Sequence, residues 1–210
     1  MVKKIVQKVC TKAQVELQKK YNRNYEKKIR SCLKNDNFSI ICSNCIGGVI
    51  YHRLGKKFLS PTINMWFDQG EFLQFVENLP EYIEKELVFV ESDYDYPVAK
   101  LGNVHLYFNH AKNEEEARNN WEKRKNRINY DNLFIIMYDR GITEGDIRRL
   151  EKIQCRNKIV LSDKCYSNID YVLTMCPTER VNGAQFLDKD WLGRRTFEKN
   201  WDFVRWLNCK

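Results

Sequence analysis

The sequence predicts an α/β fold, a three-layer sandwich on a largely parallel or mixed central sheet, preceded by a basic amphipathic helix. Three observations carry this. Short apolar runs rich in β-forming residues alternate with helix-like segments through residues 35–210, and that alternation implies parallel pairing. Ile5, Val9, Ala13, Leu17, Tyr21, Tyr25, Ile29 and Leu33 recur every four positions with no Gly or Pro among residues 1–34, which is a helix ladder. The 210 residues are 43% apolar and 30% charged, enough for a core without disulfides or a metal.

The expected organisation is residues 1–34 as the helix and residues 35–210 as a single α/β domain. Residues 38–42 (FSIIC) read as a buried strand, followed by a tight turn through Gly47 and Gly48. Residues 49–54 read as a helix stopped by Gly55, and residues 68–79 as a second helix stopped by Pro80. Residues 87–90 are a strand, 94–97 a turn and 104–108 (VHLYF) another strand. Residues 113–129 form the clearest helix, with Asn113 as cap, three glutamates in its first turn and basic residues near its end. A strand at 133–137 (LFIIM) precedes a helix from Thr143 to about residue 153, with Asp146 in a capping-box position. Strands at 158–161 and 171–174 follow, and a last helix over 190–207 carries Trp191, Phe197, Trp201 and Trp206.

Charge is divided unevenly. Residues 1–34 hold eleven Lys or Arg against two Glu, whereas residues 35–210 hold 25 basic and 26 acidic side chains. A neutral body argues against nucleic acid as partner, because a nucleic-acid-binding fold carries its basic residues on the domain itself. The basic helix suits an anionic membrane surface, or alternatively packing on the body or a homo-oligomer interface. No apolar run approaches the roughly 20 residues of a membrane span, and no secretory signal is expected at the N-terminus. The expected location is cytoplasmic, peripheral to the inner face of the membrane. The eight cysteines are scattered and read mostly as reduced thiols.

Ligands of open α/β sheets bind beyond the carboxyl ends of the strands. The first strand ends in Ser43, Asn44 and Cys45 before Gly47 and Gly48; VHLYF ends in Asn109 and His110; LFIIM ends in Asp139 and Arg140; the next ends in Ser162 and Asp163. Cys45, before a helix, is the first candidate nucleophile and Ser43 the second. His110 is the candidate base, with Asp139 or Asp163 to orient it. Asn44 and the N–H groups near Gly47 and Gly48 suit an oxyanion, and Arg140 suits a phosphate or carboxylate. Cys42 and Cys45 also spell C-x-x-C, but no second pair completes a zinc site, and no metal is expected. Asp93-Tyr94-Asp95 and Asp188-Lys189-Asp190 are D-x-D triplets, which keep metal-assisted nucleotide-sugar chemistry open.

The stretch from Phe38 to Tyr51 resembles the opening motif of the bacterial domain of unknown function family 1919. Tyr96–Leu101 through His110 to Trp121, and Arg127–Phe134 through Asp139 and Arg140, are similar to it too, so the resemblance spans about residues 35–190. It implies a setting in capsule or exopolysaccharide synthesis, some members carrying an acetyltransferase label, and supplies no catalytic residues. The expectation is a transferase, first an acyltransferase moving an acetyl group from acetyl-CoA to a sugar hydroxyl through Cys45, on a sugar or lipid-linked glycan. A glycosyl- or phosphosugar transferase and a non-catalytic membrane-associated module are the alternatives.

Overall fold

The computed structural model describes residues 2–175 and 186–209, with side chains from Lys12 onward. In chain order the elements are α1 (Val2–Cys32), β1 (Ser39–Cys42), α2 (Ile46–Leu54), α3 (Gln69–Glu77), α4 (Leu79–Glu84), β2 (Leu87–Val90), β3 (Val98–Leu101), β4 (Val104–Tyr107), α5 (Glu114–Lys125), β5 (Leu133–Tyr138), α6 (Glu144–Arg149), β6 (Asn157–Ser162), β7 (Val172–Thr174), α7 (Thr196–Asn200) and α8 (Phe203–Asn208). The parallel sheet runs β1-β5-β6-β7, and β2-β3-β4 form a separate antiparallel sheet.

Alternation along the parallel strands divides the core into two layers. On one face Ile41, Leu133, Ile135, Met137 and Val160 pack against α3, α4, the small sheet, Trp121 of α5 and Ile147 of α6. On the other Phe38, Ile40, Phe134, Ile136, Ile159 and Leu161 pack against α2, Ile29 of α1 and the aromatic side chains of α7 and α8. Both faces are covered, so all six residues of β5 are buried. This is the α/β sandwich, with its N-terminal helix, that the sequence pattern predicts.

Several boundaries differ from expectation for local reasons. Residues 98–101 form β3, because Gly102 (φ 61°) opens a two-residue turn that pairs Val98–Leu101 with Val104–Tyr107. The strand that follows the 94–97 turn therefore joins a hairpin and not the parallel sheet. Pro80 ends α3 and also sits in the first turn of α4, where its missing N–H costs nothing. Helix α2 begins at Ile46, three residues early, directly behind Cys45. The expected last helix is in fact two: Trp201 is extended, and the Asp202 carboxylate restarts the helix by accepting from Arg205 N–H. Residues 190–195 are a loop. Asn113 and the Thr143–Asp146 capping box act as expected.

Helix α1 is one continuous element of 31 residues, and among the described side chains those of its second half fasten it to the body. Asn22 donates to Leu192 O (2.9 Å), Arg30 Nε to Arg53 O (2.8 Å) and Asn208 to Cys32 O (2.9 Å). The strongest link is ionic. Arg53 of α2 is 8% exposed and Glu198 of α7 is 4% exposed. Arg53 Nε donates to Glu198 Oε1 (2.6 Å) and Nη1 to Glu26 Oε1 of α1 (3.0 Å), while Nη2 reaches Gly193 O (3.2 Å).

Two outcomes are expected from unfolding melts. Glu198→Gln removes one partner of a buried pair and should cost about 3–5 kcal/mol. Gly47→Ala should cost about 1–3 kcal/mol, because its Cβ would stand 3.0 Å from Cys42 Cβ, whereas Gly70→Ala in α3, with nothing within 4 Å, should be neutral or stabilising.

Candidate functional site

Strand β1 ends in a tightly built turn. Ser43 is fully buried; its N–H donates to Ile136 O (3.0 Å) and its hydroxyl accepts from Tyr138 N–H (3.1 Å), continuing the β1–β5 pairing one step. The Ser43 carbonyl then accepts from Phe67 N–H (3.1 Å). Asn44 folds back so that its Oδ1 accepts from Ile46 N–H (2.9 Å) and lies 3.4 Å from Cys42 Sγ. The Ile46 N–H at the start of α2 is thus engaged within the protein. The N–H groups of Asn44, Gly47 and Ile46 point at the buried Cys42 sulfur, whose thiol burial nevertheless pushes up to about 12. Gly47 and Gly48 serve close packing: a Cβ on Gly48 would lie 2.7 Å from Oδ1 of Asn64, itself held in the left-handed region (φ 62°).

Cys45 is half-buried at the start of α2 (φ −71°, ψ −3°). Its sulfur lies 3.9 Å from both Met65 O and Asn109 Oδ1. Burial raises its pKa, while Asn109 and the charge of Arg195 act in the opposite direction. The expected base is elsewhere. His110 is exposed beside a cleft of about 80 Å³ lined by Ile63, Asn64, Asn120 and Arg124, and no hydrogen bond joins it to Cys45 or Asp139 among the described residues. Asn109 and His110 lie in a turn closed by Ala111 N–H on Phe108 O (2.9 Å), and of the two it is Asn109 that reaches the thiol.

Asp139 anchors a second cluster, one strand along the same edge. It is 3% exposed, and its Oδ2 accepts from Ser162 Oγ (2.8 Å) and Tyr166 OH (2.6 Å). Lys164 Nζ stands 3.9 Å away, and Asp139 Oδ1 is buried without a hydrogen-bond partner. Burial and the Asp139 carboxylate push the Tyr166 phenol above the usual tyrosine range. Arg140 and Asp163 are exposed at the rim of this cluster. The fold therefore brings Asp139 to Ser162 and Tyr166, and Cys45 to Asn109, with Arg195 near enough for its charge to act on the thiol.

Arg195 had no role in the sequence reading, which placed it inside a helix. It lines a cavity of about 710 Å³ with Gly48, His52, Asn64 and Lys189, roofed by Gln18, Lys19 and Asn22 of α1. Its guanidinium is half-buried and makes no ion pair or hydrogen bond among the described residues; its Nε is sealed from solvent without a partner. Burial depresses its pKa, Arg53 adds to that and Glu198 opposes it. The 186–195 loop that presents it is shaped by Asp190, whose carboxylate accepts from the N–H groups of Leu192 and Arg194 (3.0 Å each). Asp190 of the second D-x-D triplet is thus committed to the loop.

The family model for the domain of unknown function DUF1919 matches residues 16–208. The chain belongs to that family. A Haemophilus influenzae protein described as uncharacterized is 33% identical over 190 residues, covering 89% of this chain and 90% of its own length. Among the described residues of this DUF1919 chain, Cys32, Cys42, Cys45, Cys155, Cys165 and Cys209 are free thiols, while Cys176 and the Cys10 side chain lie outside them. No described helix is long and apolar enough to cross a membrane.

Alkylation should follow exposure and thiolate content. Iodoacetamide followed by peptide mass mapping should label Cys32, Cys165 and Cys209 first, Cys45 and Cys155 more slowly, and Cys42 only on unfolding. Rapid labelling of Cys45 ahead of the exposed thiols would mean an activated sulfur.

Proposed function

We propose that this protein is a transferase of surface-polysaccharide synthesis, taking its transferred group from a phosphate-bearing donor held by Arg195. The observation that carries this reading is the half-buried, unpaired Arg195 guanidinium in a 710 Å³ cavity, its charge also acting on Cys45. A charge without a partner in a partly dehydrated place is costly, and a bidentate phosphate relieves that cost. Lys189 and, on the roof, Lys19 line the same cavity and add positive charge, while the Asp190 carboxylate that also lines it is held by loop N–H groups.

A glycosyl- or phosphosugar transfer from a nucleotide or lipid diphosphate sugar fits these residues best. Arg195 binds and orients the donor phosphate, and Asn109 offers a hydrogen bond at the strand edge. An aromatic stack stands next along the chain: Trp66 lies flat on Tyr107 with ring centres 3.7 Å apart, and Tyr94 meets both edge-on. Such faces suit the apolar side of a sugar ring. Acyl transfer from acetyl-CoA is the second reading, favoured by the closeness of Cys45 to Arg195, since coenzyme A also carries phosphates. A raised thiol pKa with Asn109 in place of a histidine weighs against a covalent acyl-enzyme.

Thermal unfolding with added ligand separates the readings, because a ligand that binds only the folded state stabilises by about 2.7 kcal/mol at a hundred times its Kd. A UDP-sugar or glycosyl phosphate should raise Tm in the wild type and in His110→Ala, and not in Arg195→Ala. The Arg195→Ala protein alone should unfold no earlier than wild type, since no ion pair is lost. Stabilisation by acetyl-CoA only, with an acetyl adduct on Cys45 absent from Cys45→Ala, would transfer the assignment to acyl chemistry. No response to any of these donors would remove the proposal.

A further inference from the structure

We infer that the outer half of α1, together with Trp191, is a docking surface for an anionic lipid bilayer. The inference goes beyond the transferase reading and stands on separate residues. The body grips α1 from Gln18 to Cys32, where Ile29 is buried and Tyr25 and Leu33 pack on the core. At the outer edge of that grip the described apolar side chains turn toward solvent. Leu17 is 49% exposed, Val15 41% and Tyr21 36%. Trp191, the most exposed large apolar side chain among the described residues at 62%, sits beside them, its carbonyl accepting from the Gln18 amide. The helical backbone continues to Val2, and the sequence continues the four-residue apolar spacing to Ala13, Val9 and Ile5.

Charge selects the occupant. Residues 2–24 hold seven Lys or Arg and one acidic residue, Glu16, which is paired with Lys19 at 2.7 Å. Lys12, Lys20 and Arg23 are exposed and make no ion pair among the described residues. A second copy of this chain would bring two such segments together with like charges opposed. A nucleic acid would use the lysines and leave Leu17 and Trp191 bare in water. An anionic bilayer takes both: the lysines meet the headgroups, while Leu17 and the amphipathic Trp191 enter the interface. The lysines keep the helix on the surface, and no described helix is apolar enough to cross.

Co-sedimentation of the full chain with lipid vesicles tests the inference. The protein should bind vesicles of phosphatidylcholine containing about a third phosphatidylglycerol and not pure phosphatidylcholine, and binding should weaken as salt shortens the screening length. The Lys12→Gln, Lys20→Gln, Arg23→Gln triple variant should bind roughly a hundredfold more weakly, at about fivefold per charge. Leu17→Ser with Trp191→Ser should bind about tenfold more weakly. All five positions are exposed or half-exposed, so thermal melts should match wild type. Equal binding to both vesicles, or none to the anionic ones at low salt, overturns the inference. So does full-strength vesicle binding by the Leu17→Ser, Trp191→Ser variant, or a concentration-dependent dimer in light scattering that anionic vesicles fail to dissociate.

Discussion

Arg53 carries a positive charge into the seam between α1, α2 and the segment leading to α7, where water cannot stabilise it. Its charge is tolerable only while Glu198 and Glu26 stay within hydrogen-bond reach, and each of those carboxylates belongs to a different element. Glu198 also accepts from Arg195 N–H at 2.6 Å, so the same carboxylate sets the backbone that presents the cavity's unpaired guanidinium. Apolar packing covers this face of the sheet, yet packing alone permits sliding. The ionic seam fixes the register of three elements and with it the shape of the cavity roofed by α1.

The pattern of strands and helices was legible because its signals are local. Apolar runs of three residues mark β1 and β6 and one of six marks β5, and capping residues mark α5 and α6. The errors arose where a local signal has two meanings. Val98–Leu101 looks no different from a short loop after Pro97 until Gly102 pairs it with β4. Trp191–Leu207 has a helix-like spread of aromatics, but Asp190 and Asp202 each hydrogen-bond the backbone just ahead of them and interrupt it.

The candidate site was legible in its position and less so in its residues. Both clusters lie at the carboxyl edge of the parallel sheet, where strand order alone places them. Which side chain at that edge turns toward Cys45 depends on one residue of phase, and the choice between Asn109 and His110 falls within the uncertainty of a strand end. Ser43 illustrates the same limit: a serine at a strand end looks available, but here it extends the ladder to Tyr138. Arg195 reaches the edge from about 150 residues further along the chain, through a loop whose course no local pattern encodes.

Helix α1 contains no glycine or proline from Val2 to Cys32, so it has no built-in hinge. At 1.5 Å per residue it is a rod roughly 46 Å long. Glu26 sits on that rod close to its anchored end, and the cavity wall formed by Gln18, Lys19 and Asn22 sits between Glu26 and the outer tip. A tilt applied at the tip is therefore levered directly onto the roof of the cavity and onto the Arg53 seam. A ligand that touches Gln18, Lys19 or Asn22 would share one strut with any load on the tip, and such a coupling would, by thermodynamic reciprocity, act equally in both directions.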